Sequence, residues 1–367
     1  MNDVGSIAAE KSKRPVVRAF GRAKYGAAQA ARVAWYAAHY GLARRRSAPF
    51  NRPGEPPFQP KSPPPSVGAL RKAFLDLFRR DRANVEAGLY PAPEDLRLRD
   101  LSRALKSSSL MTQDLEEVDA RRLARNGVEA REIDGAERFP VYYRQNFHYQ
   151  TGGWLTDESA RIYDSQVELL FTGAGDAMRR SALAEISREL RARKTSRTAT
   201  YVDVGCGTGR FLAQTLAAYP RLDAYGLELS PAYCARARRA VRAWPKAQIL
   251  EGAAEALPME DESADILCSV YLFHELPPKI RRAAAAEFVR VLKPGGLFVF
   301  TDSLQLGDAP DLDRMLEYFP EGFHEPYYKS YLTEDFGHVL GEAGFVPERR
   351  QLAFLTKTTT WRKPAGV

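Results

Sequence analysis

The stretch Tyr201-Val202-Asp203-Val204-Gly205-Cys206-Gly207-Thr208-Gly209-Arg210-Phe211 decides the fold of this chain. A short run of β-branched and aromatic residues ends in three spaced glycines, and a helical pattern begins directly behind them. Glycine has no β-carbon, so these positions allow a tight turn and a close approach of a ligand to the backbone. The free N–H groups at the start of the helix would point at that ligand. The stretch therefore predicts a strand, a ligand-binding turn and a helix.

The spacing of the glycines argues against a dinucleotide-binding loop, which has the pattern G-x-G-x-x-G. Here Arg210 holds the place of the third dinucleotide glycine, and an acid lies two residues before the first glycine. This pattern resembles the first motif of class I S-adenosylmethionine (SAM) methyltransferases. The resemblance implies SAM as the cofactor and S-adenosylhomocysteine (SAH) as its product. The residues that it assigns to the cofactor here are Asp203, Gly205, Cys206, Gly207 and Gly209.

Length and composition limit the class of protein. The 367 residues suit two domains, or one domain with large additions. No uncharged apolar run approaches the ~18 residues of a spanning helix, and the N-terminus lacks the apolar core of a secretory signal. Three cysteines without C-x-x-C spacing and five scattered histidines predict neither a disulfide framework nor a metal site. We therefore expect a reducing compartment, the cytoplasm.

The net charge of +8 is concentrated at the start of the chain. Residues 1–50 hold ten Lys or Arg and two acids, whereas the remaining residues carry equal numbers of both signs. This composition predicts a basic arm over 1–50. Three interpretations stay open: an extension without a fixed partner, a peripheral contact of residues 11–50 with an anionic membrane, and an organelle transit peptide. We expect no nucleic-acid partner, because the rest of the chain lacks a basic excess.

The pattern behind the arm divides into three parts. Seven prolines in residues 51–65 predict a semi-rigid linker. Residues 66–195 read as a mostly helical cap, with one helix predicted over Leu101–Ala124. Residues 196–367 then alternate strands and helices, which predicts an α/β fold with helices on both faces of a parallel sheet. Five strand–helix units and a closing hairpin resemble the seven-stranded Rossmann-like sheet of the class I methyltransferases.

Two segments after the glycine loop extend the resemblance. Glu228 ends the second predicted strand, where a carboxylate can accept hydrogen bonds from both ribose hydroxyls of a nucleoside, and Leu229 can pack on the adenine. After the third strand, residues 251–258 are similar to the G-D-A-E-x-L-P segment of the ubiquinone-biosynthesis-like (type 11) methyltransferases. Ala253 replaces the Asp that contacts adenine there. The backbone N–H of Ala254, or the Glu255 side chain, can substitute for it.

The end of the fourth strand, residues 268–277, is similar to the family's fourth motif. The resemblance places Ser269 and Tyr271 at the methionine part of SAM. The polar residue, two prolines and aromatic of amino-directed nucleic-acid methyltransferases are missing, and Cys268 follows Leu267 rather than a proline. Small-molecule methylation is the remaining interpretation. Lys293-Pro294-Gly295-Gly296, predicted as a turn before the fifth strand, completes the match.

Aligning the acceptor with the methyl donor can supply most of the rate enhancement, and a general base is needed only if the acceptor starts protonated. His274, just past the fourth strand, is the first candidate for such a base, with a structural role at a helix start as its alternative. His148 is a second candidate, since it lies among aromatic residues.

Two aromatic clusters are expected to bind the acceptor, because aromatic faces suit an apolar molecule and the cationic sulfonium. One covers 139–154 and the other 318–331; packing between the cap and the sheet is the alternative for each aromatic. These clusters favour a hydrophobic or aromatic acceptor such as a lipid, quinone precursor or polyketide-like compound. The predicted acceptor-binding residues are Tyr142, Tyr143, His148, Phe323, His324, Tyr327 and Tyr328.

The sequence predicts a SAM-dependent methyltransferase. One alternative is a SAM-binding accessory or sensor protein that transfers no methyl group, which the substitution at Ala253 keeps open. Another is an NAD(P)-dependent oxidoreductase, which the glycine spacing opposes. The sequence makes no prediction of the oligomeric state, nor of methylation on O, N, C or S.

Overall fold

A computed structural model describes residues 15–49, 54–93, 114–193 and 198–366. Its centre is a seven-stranded sheet with the order β3-β2-β1-β4-β5-β7-β6. The strands are β1 (Thr200–Val204), β2 (Asp223–Glu228), β3 (Ala247–Glu251), β4 (Ala264–Val270), β5 (Leu292–Ser303), β6 (Val346–Ala353) and β7 (Thr356–Arg362).

The helices of the described ranges surround this sheet. They are α1 (Pro15–Arg46), α2 (Val67–Glu86), α3 (114–124), α4 (Asp157–Leu170), α5 (Gly175–Arg193), α6 (Arg210–Ala218), α7 (Pro231–Val241), α8 (Pro278–Val291), α9 (Asp313–Gly322), α10 (Tyr328–Tyr331) and α11 (Phe336–Glu342).

The predicted seven-stranded α/β fold is confirmed. Strands β1 to β5 are parallel, and β7 runs antiparallel between β5 and β6. Successive strand residues alternate between two apolar clusters, as a pleated strand requires. Leu297 and Val299 of β5 join the cluster formed with α5, α6 and α7. Phe298 and Phe300 join the cluster formed with α8 and α11. Both faces of the sheet are therefore covered, and the loops at the carboxyl ends of β1, β2 and β4 remain to build a site.

Glycines set two element boundaries, and one of them differs from the sequence prediction. The helix after the first strand begins at Arg210, directly behind Gly209, which adopts a left-handed φ of 75°. The predicted turn at 293–296 is part of β5, where the pairing with β4 shifts register and Gly295 has a φ of 72°. A left-handed glycine lets a strand carry such an irregularity without ending.

Helix α1 packs against α2 and α4. Its inner face includes the buried side chains Tyr25, Gln29 and Arg32, and the Tyr25 hydroxyl donates to Asp81 of α2. Residues 1–14 lie outside the described ranges, as does 101–113 of the predicted helix 101–124. No helix within the described ranges is long and apolar enough to cross a membrane. The membrane contact of residues 11–50 stays a prediction, as do the boundaries at 50, 65 and 195.

The proline-rich segment lies against helix α9 over its described part. The Ser62 hydroxyl donates to Glu317 at 2.9 Å, and the Phe58 ring meets Tyr318 edge-on at 5.4 Å. The segment that precedes α2 is therefore fixed against α9.

Candidate active site

A cavity lies between the carboxyl ends of the central strands and the cap. On the sheet side it is lined by the loops that follow β1, β2, β3 and β4. Aromatic residues of the cap segment 139–154 and of helix α4 form the facing wall. They are Tyr142, Tyr143, Phe147, Trp154 and Tyr163. Ligands of open α/β sheets bind at this position, outside the carboxyl ends of the strands.

The glycine loop forms the floor of the cavity. The backbone N–H groups of Gly205 and Cys206 donate to Leu227 O at 2.8 and 2.9 Å, which ties the loop to β2. Gly207 has a φ of 55° and lines the cavity, and a β-carbon built there would meet nothing within 4 Å. Gly209 faces the other way, since its β-carbon would lie 2.8 Å from Ala237 Cα of α7. One glycine therefore exposes backbone to the cavity and another allows two helices to meet.

Glu228 stands beside the glycine loop with its carboxylate buried. Its Oε2 accepts from the Gly207 N–H at 3.0 Å, and its Oε1 accepts from the Ser230 N–H at 2.9 Å. The Tyr143 hydroxyl of the cap also donates to Oε1, at 3.1 Å. Burial raises the pKa of Glu228, although these hydrogen bonds oppose the shift. Its neighbour Leu229 also lines the cavity.

A second cap tyrosine bonds to the loop after β3. The Tyr142 hydroxyl donates to Glu255 Oε1 at 2.6 Å, while Ala253 and Ala254 line the cavity beside it. Glu255 therefore binds the cap in this structure.

Asp203 lies on β1 beneath the glycine loop and is 1% exposed. Burial, followed by the charge of Glu228, raises its pKa to about 8. Its Oδ2 has no hydrogen-bond partner within the described residues, and the same holds for the Ser269 hydroxyl on the neighbouring β4. Buried polar atoms in native proteins are normally paired, so these two point to a ligand or solvent at this floor.

His274 and Asp302 form a buried pair where β4 and β5 end. His274 Nδ1 lies 2.6 Å from Asp302 Oδ1, and Asp302 Oδ2 accepts from the backbone N–H of Phe273 at 2.9 Å. Nε2 has no hydrogen-bond partner among the described residues. Burial lowers the pKa of His274, but the carboxylate of Asp302 outweighs it and raises the pKa to about 9. Asp302 thus fixes the orientation of the imidazole through Nδ1, and Nε2 is available to a further partner.

Glu275 follows His274 in the same short turn and lines the cavity. The Trp154 indole Nε1 donates to Glu275 Oε2 at 3.0 Å. Burial raises the pKa of Glu275 well above its usual value, and the nearby Glu325 adds to the shift. A carboxyl group held neutral in this way can donate a hydrogen bond through its other oxygen.

A second histidine–carboxylate pair lies beyond Trp154. His148 Nε2 is 2.8 Å from Glu325 Oε1, and the Glu325 side chain is fully buried. The His148 ring meets Trp154 edge-on at 5.6 Å and Phe323 at 5.6 Å. His148 has a φ of 57°, in the left-handed region that non-glycine residues rarely occupy.

Comparisons with known proteins identify relatives of this chain. A family model described as a methyltransferase domain matches residues 202–296. The chain is 34% identical over 145 residues to the demethylmenaquinone methyltransferase of Chlorobaculum tepidum, which covers 39% of this chain and 55% of that protein. It is 31% identical over 158 residues to an uncharacterised methyltransferase of Synechocystis, covering 41% of this chain and 68% of that protein. The chain belongs to the class I SAM-dependent methyltransferases.

One solved structure resembles this methyltransferase along most of its length. It is the selenomethionine-substituted CurJ carbon methyltransferase, at a TM-score of 0.47 and 13% identity, covering 95% of this chain and 94% of that one. The curated relatives align over shorter stretches, and the match spans about half the length of the Chlorobaculum protein.

SAM is the cofactor of this family, and the residues of the methyltransferase site fit it. The loop around Gly207 presents backbone without side chains, Glu228 offers a buried carboxylate, and Asp203 has an unpaired buried oxygen. A cofactor that carries hydroxyl and ammonium donors can satisfy these acceptors. The carboxylates on the floor of the cavity therefore suit a ligand with hydrogen-bond donors.

The residues predicted for the cofactor divide into three groups. Gly205, Gly207, Glu228, Leu229, Ala254 and Tyr271 line the cavity. Asp203, Gly209 and Ser269 lie beneath it or behind it. The Cys206 side chain packs in the core against Gly226, so its thiol points away from the ligand and only its backbone can contribute.

The predicted acceptor residues differ in where they lie relative to the cavity. Tyr142 and Tyr143 line the cavity, and Phe323 lies against His148. Tyr327 packs beside Phe147 and Trp154, and the Tyr328 hydroxyl is 2.7 Å from the Ser303 hydroxyl, next to His274. His324 is placed differently from the prediction. Its ring lies between Gly127 and Tyr149 within the cap, whereas the neighbouring Glu325 side chain pairs with His148.

Sequence reasoning did not name Asp302, Glu275, Glu325 or Trp154 as site residues. Asp302 could have been predicted from its position, because it follows the predicted fifth strand as His274 follows the fourth. Adjacent parallel strands end at the same edge of a sheet, so the two side chains are expected to lie close together. Glu275 was next to a named candidate. Glu325 lies in a loop whose path depends on tertiary packing, so its pairing with His148 had no local signal.

Proposed function

We propose that this protein transfers the methyl group of SAM to a small, largely apolar acceptor that carries a protonated nucleophile, such as a hydroxyl or an acidic C–H. The observation that carries this proposal is the buried His274–Asp302 pair at the ends of β4 and β5, beside the cavity that the glycine loop lines. A base is needed only for an acceptor that must lose a proton.

The cofactor half of the cavity would hold SAM through its loops. Glu228 would accept from the ribose hydroxyls, with Leu229 and Ala254 on either side of the adenine, and the region of Asp203 and Gly205 would receive the methionine part. When bound, SAM supplies an electrophilic methyl group attached to a sulfonium. These residues need only bind SAM and exclude water.

His274 would take the acceptor's proton on Nε2. Asp302 fixes the ring orientation through Nδ1 and stabilises the imidazolium that forms, as the carboxylate does in a catalytic triad. Tyr271, Tyr328 and Tyr331 surround this ring at centroid distances of 6.4, 5.8 and 6.1 Å. Burial among these rings lowers the local dielectric, which strengthens the pairing of His274 with Asp302.

The acceptor itself would lie among the cap aromatics. Trp154, Phe147 and Phe319 offer apolar faces, while Glu275 and the His148–Glu325 pair offer polar contacts at two points. This mixture favours a flat, apolar compound with more than one oxygen. The relative named as a demethylmenaquinone methyltransferase supports a quinone-like acceptor as the first class to examine.

The test uses trideuteromethyl-SAM, the purified protein and a lipid and quinone extract, with mass spectrometry to find products that carry the label. We expect labelled products with the wild type and with His338→Ala, a control histidine that is exposed on α11. His274→Ala should lose most of the product, roughly 100- to 10,000-fold as for other general bases. SAM binding without any labelled product would identify a binding protein instead, and undiminished activity of His274→Ala would remove the base from the mechanism.

A further inference from the structure

A network of buried and half-buried charges lies behind the glycine loop, on the side away from the cavity. It joins three arginines and three acids from four helices, and none of the six lines the cavity. Its members are Arg32 of α1, Asp164 and Glu168 of α4, Asp176 and Arg179 of α5, and Arg210 of α6. The proposed methyl transfer makes no use of these groups.

Helix α1 enters this network through Arg32, which is 7% exposed. Its Nη2 lies 2.9 Å from Glu168 Oε2 and 3.0 Å from Asp176 Oδ2, so one nitrogen bridges two carboxylates. Its Nε donates to Gly173 O at 3.0 Å, in the turn between α4 and α5. Gly173 has a φ of 79°, and a β-carbon there would lie 3.1 Å from the Tyr36 ring and 3.3 Å from Arg32 Cγ. The turn is therefore fitted to this side chain.

Asp176, which pairs with Arg32, also binds Arg210 next to the glycine loop. Both of its oxygens accept from Arg210, Oδ1 from Nε at 2.7 Å and Oδ2 from Nη2 at 2.5 Å. Arg210 is the first residue of α6 and directly follows Gly209. Thr208 of the same loop donates to Asp164 Oδ1 at 2.7 Å. Two residues of the cofactor loop are thus held from behind by acids of the cap helices.

Arg32 and Arg179 together keep the two central carboxylates in place. Glu168 and Asp176 are 0% and 2% exposed, and Arg179 Nη1 bridges them from the other side at 3.3 and 3.1 Å. Burial alone would raise the pKa of Asp176, but the surrounding arginines, Arg210 first, hold it well below its usual value. Loss of Arg32 would leave these carboxylates with one compensating arginine fewer, and the excess buried negative charge is costly. Asp176 would then move, and Arg210 with it.

We propose that Arg32 is a positioning residue for the cofactor loop, which makes helix α1 a part of the SAM site through the chain Arg32–Asp176–Arg210. This inference concerns cofactor affinity alone and does not depend on the acceptor or on methyl transfer. Arg32 acts through other residues, since neither it nor any other described side chain of its helix lines the cavity.

The test is calorimetric titration of the full-length protein with SAM and with SAH. Arg32→Met should weaken both affinities by roughly 3- to 30-fold, the range for mutations along a coupled network. The matched control is Arg22→Met on the same helix, whose exposed pair with Glu86 at 2.9 Å should contribute little and leave affinity unchanged. Arg32→Met/Glu168→Gln removes the unbalanced carboxylate and should recover most of the loss.

Kinetics distinguish positioning from a general loss of structure. With any acceptor that is turned over, Arg32→Met should raise KM for SAM while kcat at saturating SAM stays near that of wild type. Arg32→Lys, which keeps the charge, should bind SAM better than Arg32→Met. If Arg32→Met does not fold, Arg32→Lys and Gly173→Ala must each weaken SAM binding. A variant that lowers Tm but binds SAM as tightly as wild type would overturn the proposal, and this result is independent of whether methyl transfer is found.

Discussion

The environment of His274 shifts its pKa in two directions. Burial lowers the pKa and the Asp302 carboxylate raises it, with a net value of about 9. An imidazole acts as a base only when neutral, and two pH units below its pKa about one molecule in a hundred is neutral. We therefore expect kcat for methyl transfer to rise with pH through the neutral range. NMR titration of the His274 ring in the ligand-free protein should give an inflection well above the usual 6.5 of histidine.

A substitution of Asp302, the partner of His274, tests the cause of this pKa shift. In Asp302→Asn the largest cause that raises the pKa of His274 is gone, while burial and the weaker effects of Glu325 and Glu275 remain. The inflection should therefore move to a pH below that of wild type. The maximal rate should fall as well, because an amide no longer stabilises the imidazolium. A wild-type inflection that stays in place in Asp302→Asn would show that the two side chains do not interact in solution.

Asp203 should reduce the stability of the free protein at neutral pH. Its folded pKa of about 8 lies above the unfolded value near 3.9, so folding favours the protonated acid. The penalty is absent below pH 4, grows as the pH rises, and is complete above the folded pKa. Asp203→Asn should therefore raise the free energy of unfolding at pH 7 by about 1–4 kcal/mol while weakening SAM binding. Urea unfolding at pH 4 and pH 7 checks the sign: an equal change at both would contradict it.

Some residues of the candidate site can be predicted from local sequence patterns, and others cannot. Glu228, Gly205 and Gly207, which line the cavity, could be predicted because their spacing from predicted strand ends is local. The hydrogen bond from Tyr143 to Glu228 joins residues 85 positions apart, and nothing in either segment predicts it. The pairing of Glu325 with His148 is of the same kind. Such contacts follow from how the cap sits on the sheet, which no local pattern encodes.

At the scale of elements, two glycines of one loop serve different purposes. Gly209→Ala would place a β-carbon 2.8 Å from Ala237 Cα and keep a left-handed residue. We expect it to lower the free energy of unfolding by about 2–5 kcal/mol, from backbone strain and overpacking together. Gly207→Ala meets nothing in the free protein, so only the strain of about 1–2 kcal/mol applies.

Binding should reverse this order. The Gly207→Ala methyl would stand in the cavity where the cofactor approaches the backbone, so SAM affinity should fall at least about tenfold, or ~1.4 kcal/mol. Gly209→Ala, where it folds, should lose less, since its methyl points at α7. Chemical denaturation and SAM titration of both variants provide the check. Tight SAM binding by Gly207→Ala would place the cofactor elsewhere.

Elements differed in how far sequence could define them. The strands were predicted because β-branched runs between turn residues are a local signal, and all seven are present. Helix α1 was assigned by composition to a separate basic arm, since charged residues are usually solvated. Its inner face nevertheless buries Arg32, because the compensating acids come from α4 and α5. Charge counting along a chain cannot locate partners that lie far away in sequence.

For the whole molecule, the cap and the sheet meet through polar contacts at the cofactor side. Tyr142 and Tyr143 of the cap bond to Glu255 and Glu228 of the sheet loops, and Trp154 bonds to Glu275. We expect Tyr142→Phe/Tyr143→Phe to loosen the cap over 139–154, which limited proteolysis of the free protein would detect as faster cleavage there. The exposed Tyr40→Phe is the control and should cleave as wild type. Equal cleavage of all three proteins would mean that apolar packing alone holds the cap.

The bond between Tyr143 and Glu228 also bears on how the cell would control this protein. A ligand that hydrogen-bonds to Glu228 would compete with Tyr143, a residue predicted to bind the acceptor. We therefore expect the acceptor to bind after the nucleoside part of SAM is in place. The spent cofactor would then be the last molecule to leave, and free enzyme would be shared between SAM and SAH. Initial-rate studies should show SAH competing with SAM at every acceptor concentration. The output of such an enzyme follows the cellular ratio of SAM to SAH, rather than the amount of SAM alone.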